Sequence, residues 1–408
     1  MRCVTVGRQS DGGTTAGAKS GGGAGRAEAV SSLRSAKLLT SQLKLATDEL
    51  RALLSESSDF TVIGVLGRQG VGKSTIMSLL AGWESGGLAS PDGGWHGAVC
   101  TPAAEHGPSA ALLADAPSSP PFATGSLAAR LRAEHATSGV DVIVTPERLI
   151  LLDTQPLLSS SVLLSLRSGP LAAGVHTHEN QAHLHDLRLA MFILSVAHTV
   201  VVVQDCPSDV TLWRLLRTAQ AIRHATPGMA LSAGGAGIIA SGGAPAPNLT
   251  RAPGHIATDT PATPTSNAHA PALAAPAPHA HAPAVAFVLN RLRAGDGVAS
   301  RRAVQASMAE LFSAEALGLP AMAAGPAPLV FGLPCSAEEA ATSVHGGYRQ
   351  EAAMLRDELL SLRHRPLAHP ELSEREWLRE AGRVWELLRT SRQLDMYNRG
   401  THKLHLWA

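Results

Sequence analysis

Apolar residues come in short runs, with polar or glycine-rich stretches between them. The runs are 60–66 (FTVIGVL), 139–144 (GVDVIV), 149–153 (LILLD), 199–205 (TVVVVQD), 285–290 (VAFVLN) and 328–333 (PLVFGL). Several are rich in β-branched residues, and none shows a helical period, so they predict six strands buried on both faces. Between them the period becomes helical. Leu39, Leu43, Ala46, Leu50 and Leu54 predict an amphipathic helix over 33–54. Further helices are predicted over 74–81, 184–197 and 213–223, the last with Ser208 as its N-cap, and near 347–363 and 374–395. In the final one Trp377, Ala381, Val384, Trp385 and Leu388 share one face, which predicts packing on the domain's own sheet ahead of direct contact with a partner.

Only residues 145–148 separate the second and third strands. A parallel pair needs a crossover of roughly a dozen residues, so these two are antiparallel if they pair. Alternating strands and helices with one such hairpin predict an α/β fold. It is a P-loop NTPase-like, G-domain-like doubly wound sheet of about six strands, one antiparallel, with flanking helices. Residues 1–32 read as a disordered tail, 83–125 as an insertion and 228–283 as a low-complexity insertion dominated by Ala, Pro, Gly and Ser. The domain would then be split into 33–227 and 284–364, followed by a helical segment over 365–408.

The chemistry follows the first strand. GRQGVGKS, Gly67 to Ser74, matches G-x-x-x-x-G-K-S between a strand and a helix. Gly67, Gly70 and Gly72 let the backbone curl around phosphates, with the amides of Val71 to Thr75 aimed at negative charge. Lys73 is a movable cation for the outer phosphates, and Ser74 offers a hydroxyl to Mg²⁺. Asp153 ends a buried strand, where a carboxylate holds a magnesium shell or else caps the next turn. Thr137 sits just before the hairpin, where a switch threonine would add to that shell or else remain a loop hydroxyl.

Two departures from a working G-protein stand out. After the fifth strand the guanine-reading motif N/T-K-x-D is replaced by Asn290-Arg291-Leu292-Arg293. Asn290 and Arg291 remain on the base side, but an arginine cannot accept the hydrogen bonds that select guanine. Asp296 would need a shifted loop to substitute. The acidic motif D-x-x-G becomes Asp153-Thr154-Gln155-Pro156, and Pro156 has no N–H to give a γ-phosphate. Leu157 stands where small GTPases often carry a water-orienting Gln. The pocket is expected to take a purine nucleotide, ATP or GTP without strong guanine preference, with Mg²⁺, and to lack the parts for hydrolysis.

Composition narrows the class further. With 34 basic and 33 acidic residues the chain has no polybasic surface, so strong direct nucleic-acid binding is not expected. Cys3, Cys100, Cys206 and Cys335 are widely spaced, which predicts reduced thiols in cytosol or nucleus rather than a zinc or disulfide framework. No apolar run reaches the roughly 18 residues of a membrane span. His176, His178, His183 and His185 form two H-x-H pairs but lack a completing ligand set, so a solvated loop is expected.

The runs VIGVLGRQGVGKS (62–74), TSGVDVIVTPERLILLDTQPLL (137–158), VVVVQD (200–205) and REWLREAGRVWELL (375–388) resemble the family of the ninth SMG protein. These are the smaller, G-domain-like regulatory subunits of the nonsense-mediated mRNA decay kinase complex. DTQP is the most specific part of the resemblance, which covers about half the chain. It implies a heterodimer with a larger G-like SMG subunit, docked on the phosphatidylinositol-3-kinase-like kinase that phosphorylates the UPF helicase. It also implies a nucleotide held structurally, with adenine acceptable. The reading is therefore a non-catalytic regulatory subunit. The alternatives are an active P-loop NTPase or small-molecule kinase, and a pseudo-GTPase scaffold of trafficking or organelle division.

Overall fold

The structure is a computed structural model that describes residues 33, 35–83, 120–126, 128, 129, 132, 134–229, 282–292, 298–313, 327–334, 348–362, 367 and 371–405. The expected tail over 1–32, most of 83–125, most of 228–283, and Arg293 and Asp296 lie outside those residues.

Seven strands form one sheet. They are β1 (Ala36–Leu39), β2 (Thr61–Gly67), β3 (Val140–Val144), β4 (Leu149–Thr154), β5 (Thr199–Gln204), β6 (Ala284–Leu292) and β7 (Leu329–Pro334), in the order β1-β3-β4-β2-β5-β6-β7. β2 pairs in parallel with β4 and β5, as do β5 with β6 and β6 with β7. β3 runs against β4 from Val140↔Thr154 to Val144↔Ile150, as the short 145–148 connection requires. The described helices are α1 (Asp48–Leu53), α2 (Lys73–Leu80), α3 (Ser160–Arg167), α4 (His178–Val196), α5 (Val210–Ala225), α6 (Val298–Leu311), α7 (Tyr348–Ser361), α8 (Glu374–Arg389) and α9 (Arg392–His405).

The strands are mainly apolar because both sheet faces are covered. Val62, Leu66, Ile150, Leu152, Val200 and Val202 pack in a core with α4, α5 and α8. Ile63, Val65, Leu149, Leu151, Val201 and Val203 pack in a second core with α2 and α7. The chain passes from β2 to one side of the sheet for β3 and β4, then to the other for β5 to β7. The order thus reverses at β2, and the crevice beyond its C-terminal end is where an open α/β sheet accommodates ligands.

The expected helix over 33–54 is corrected. Residues 36–39 are instead a seventh, edge strand, antiparallel to β3, and only Asp48–Leu53 is helical. Leu43 has φ +55, which ends any helix there, and Leu38 and Leu39 are buried. Adding a strand to the β3 edge satisfies backbone groups that a surface helix would have left open. Smaller corrections follow from local bonds. α5 is capped by Asp209, whose carboxylate accepts from Leu212 N at 3.1 Å, and not by Ser208. The helix expected over 374–395 is two, with Ser391 Oγ accepting from Leu394 N at 3.4 Å where the second begins. α3 and α6 had no clear period in the sequence. Phe122, in the expected 83–125 insertion, is fully buried in the core that contains α2, and its N–H donates to Ser78 Oγ at 3.3 Å.

α8 packs chiefly on α4, within the domain. Trp377 Nε1 donates to Val196 O at 2.8 Å and Trp385 Nε1 to Leu43 O at 3.1 Å, while Phe192 meets Trp385 edge-on at 5.3 Å. Ser373 and Glu376 form a reciprocal capping box at its start. The fully buried Glu374 carboxylate accepts from Ser55 N at 2.7 Å and Ser55 Oγ at 3.0 Å and pairs with Arg148 in the β3–β4 turn.

Candidate functional site

The G-x-x-x-x-G-K-S run turns from β2 into α2 as the sequence predicts. It forms one wall of a cleft of about 440 Å³ that includes Gly70, Gly72, Lys73, Ser74 and Thr75. Gly72, at φ +99, is the N-cap of α2, and a Cβ there would lie 2.5 Å from Asn290 Nδ2. Val71 is buried under the loop. Lys73 is buried and donates to Arg68 O at 3.0 Å. Burial lowers its pKa from 10.5 to about 8, with the Asp153 charge opposing that shift.

Asp153, Ser74 and Thr137 are brought together from three separate segments. Ser74 Oγ and Thr137 Oγ1 each donate to Asp153 Oδ2 at 2.7 Å, and the two hydroxyls are 3.1 Å apart. Asp153 is fully buried, and its Oδ1 has no hydrogen-bond partner. Burial raises the Asp153 pKa, while Lys73 and the two hydroxyls act in the other direction. A buried carboxylate with a spare oxygen beside two hydroxyls and a lysine is oxygen-donor chemistry of the kind that suits Mg²⁺ and phosphate.

The two residues expected on the base side reach back to the Gly67–Ser74 loop. Asn290 Nδ2 donates to Val71 O at 2.7 Å, and Asn290 Oδ1 accepts from Arg291 N at 3.0 Å. Arg291, at φ +61, sends its guanidinium to Gly70 O at 2.9 Å. Both line the cleft. In this arrangement Asn290 braces the loop that would hold phosphates, a role its type and position alone do not reveal.

The DTQP segment is bonded along its length. Thr154 Oγ1 donates to Val65 O at 2.6 Å, and Gln155 Oε1 accepts from Gly139 N at 2.9 Å. Pro156 lines the cleft. Leu157 is fully buried and its N–H donates to Gly67 O at 3.0 Å. Leu158, at φ +51, donates its N–H to Asp186 Oδ2 at 2.9 Å. Burial raises the Asp186 pKa to about 7, with the Leu158 N–H opposing. The residue four beyond Asp153 therefore points into the core, and Gln155 is bound to backbone.

Sequence reasoning missed Gln69, Glu134 and His135, all on the cleft wall. Gln69 is one of the unspecified positions of the phosphate-loop motif, and the other two sit in an irregular stretch, so no pattern marked them. Of the histidines at 176–185, His178, His183 and His185 lie on α4 rather than in the expected loop, while His176 precedes its cap Thr177; His183 Nε2 meets Tyr397 OH at 3.0 Å. Among the described residues no three His, Cys, Asp or Glu side chains gather as a metal-binding group. No described helix is long and apolar enough to cross a membrane.

No family model matches the chain. It is 34% identical to the nonsense-mediated mRNA decay factor SMG9 of Xenopus laevis over 182 residues, 44% of this chain and 30% of that protein. It is 31% identical to SMG9 of Salmo salar over 195 residues, 47% of this chain and 33% of the relative. For SMG9 of Caenorhabditis elegans the identity is 30% over 177 residues, 43% of this chain and 38% of the relative. The match thus spans about a third of the length of these relatives. The resemblance first seen in the Gly67–Ser74 loop and the DTQP block extends over nearly half the chain, which is similar there to the SMG9 nonsense-mediated mRNA decay factors.

Proposed function

We propose that this chain is a non-catalytic regulatory subunit acting in nonsense-mediated mRNA decay, with a structural purine nucleotide in the cleft beside Gly67–Ser74. Its similarity to decay factors supports the pathway. The phosphate end of the cleft carries the reading of the pocket. Lys73, Ser74, Thr137 and Asp153 converge there, while Pro156 lacks an N–H and Leu157 is turned into the core. Glycines and amides would hold the phosphates, with Lys73 beside them. Ser74, Thr137 and Asp153 would hold Mg²⁺, which would supply charge neutralisation. Attack on a γ-phosphate needs a positioned water and a donor on the leaving charge, and neither Leu157 nor Pro156 supplies one. In the proposed assembly the chain pairs with a larger G-like SMG subunit and docks on the phosphatidylinositol-3-kinase-like decay kinase, in cytosol or nucleus.

Competition binding with ATP and GTP tests the pocket, read beside a single-turnover assay. Comparable affinities are expected, with nucleotide loss no faster than in a Lys73→Ala control. A guanine preference above about a hundredfold, near 2.7 kcal/mol, or a Lys73-dependent turnover would overturn the reading.

A further inference from the structure

Gln69 joins the phosphate loop to the segments on both sides of the phosphate end. Its Nε2 donates to Glu134 O at 3.0 Å, in the segment leading to Thr137. Its Oε1 accepts from Ser159 Oγ at 2.6 Å and Ser161 Oγ at 2.9 Å, at the start of α3. Both serines are buried. Ser161 Oγ also lies 2.7 Å from His135 Nδ1 and 2.8 Å from Ser159 Oγ. One amide and one imidazole thus tie 134–135 to 159–161 across the cleft wall. The second segment is already fastened through Leu157 N–H to Gly67 O and Leu158 N–H to Asp186.

We propose that Gln69 is a positioning residue that locks both loops around the phosphate end in one conformation, whatever nucleotide is bound. A ligand shifts a conformational equilibrium only through contacts that differ between the two states. Here the protein's own side chains already make the contacts that would close these loops. A third phosphate has no open state to draw shut, so the site presents one surface in its diphosphate and triphosphate forms. This rests on the proposed nucleotide site, but the lock itself exists without ligand and can be tested without it.

The experiment is amide hydrogen exchange on the full chain, nucleotide-free, with MgADP, and with Mg²⁺ and a non-hydrolysable ATP analogue. In wild type, exchange over 134–138 and 157–162 should differ by less than about twofold between the ADP and ATP-analogue states. Gln69→Ala should speed exchange in both segments by about tenfold without nucleotide, leaving the sheet core unchanged. Gln69→Glu keeps the acceptors for Ser159 and Ser161 but loses the donor to Glu134 O, so it should loosen 134–138 alone. That variant carries the test if Gln69→Ala does not fold. Exchange at wild-type rates in the variants would overturn the lock, as would a tenfold difference between the two nucleotide states of wild type. Failure of wild type to bind either nucleotide would remove the nucleotide site, while the ligand-free variants would still decide the lock.

Discussion

Lys73 is a lysine held in a place that disfavours its charge, and this gives it a definite pH signature. Its pKa in the nucleotide-free fold is lowered from 10.5 to about 8, so between those values the unfolded chain holds more protons than the folded one. Its contribution to stability therefore rises with pH across that window. Phosphate binding has the opposite trend, because phosphate favours the ammonium form. Nucleotide binding at about pH 8.5 should take up a proton, and affinity should fall as pH rises through about 8. Calorimetry in buffers of different ionisation heat reads this directly, and heats independent of buffer would exclude it. Asp186 titrates the other way. Its folded pKa is raised from 3.8 to about 7, so ionisation is disfavoured in the fold and its contribution to stability is lost as pH rises through that range. Asp186→Asn keeps an acceptor for Leu158 N–H. Its advantage over wild type should open from about pH 4 and level off above about pH 7, at about 4 kcal/mol for the full shift. A stability difference that does not vary with pH would count against this assignment.

At the scale of elements, the C-terminal helix α8 is fastened to the rest of the domain by a buried carboxylate. Glu374 binds Ser55, just after α1, and Arg148, in the β3–β4 turn, so three segments distant in sequence meet at one side chain. Removing one partner of such a pair leaves the other desolvated and uncompensated. Glu374→Ala should cost about 2–4 kcal/mol, measured by denaturant unfolding. Arg148→Ala should cost as much or more, because it leaves the fully buried Glu374 carboxylate uncompensated, whereas Glu374→Ala leaves an arginine that is 31% exposed. A double-mutant cycle should return a coupling of about 1 kcal/mol or more, and additivity within about 0.3 kcal/mol would show that the pair does not act as a unit. α8 was legible in the sequence because its apolar period is strong. The edge strand β1 was not, because Leu39, Leu43, Leu50 and Leu54 keep helical spacing across a strand, a turn and a short helix.

For the whole molecule, the largest question in the chain is the stretch between α5 and β6. Met229 and Ala282, on either side of it, are both buried, and Ala284 N–H bonds His198 O at 2.9 Å, so the domain holds both ends. The composition of 231–281 offers no apolar period with which to extend a core. Replacing those residues with about eight Gly/Ser residues, able to span up to about 26 Å, should leave the melting temperature within about 2 °C of wild type. Co-purification with the two proposed partners, the larger SMG subunit and the decay kinase, would be scored beside it. A drop of more than about 5 °C would mean that the segment contributes to the core. Loss of the complex at an unchanged melting temperature would place a partner motif within it.

Much of the architecture was determined by the sequence alone. Runs of Val, Ile and Leu without helical period dictate strands covered on both faces, and four residues between two of them dictate a hairpin. A glycine-rich run ending in Lys73-Ser74 dictates a strand–helix turn and marks the proposed phosphate end, and Pro156 states its own lack of a donor. These features are local, so they can be read from neighbouring residues. Only the tertiary structure decided that Thr137 and Asp153 share a hydrogen-bonding site with Ser74, that Leu157 is in the core, and that Asn290 braces the loop. The same holds for Gln69 joining two loops and Glu374 joining three segments. Each of these pairings crosses tens to hundreds of residues. A polar side chain in a sequence does not announce its acceptor, and the partner is settled only when packing of the apolar strands brings distant backbone and side chains within about 3 Å.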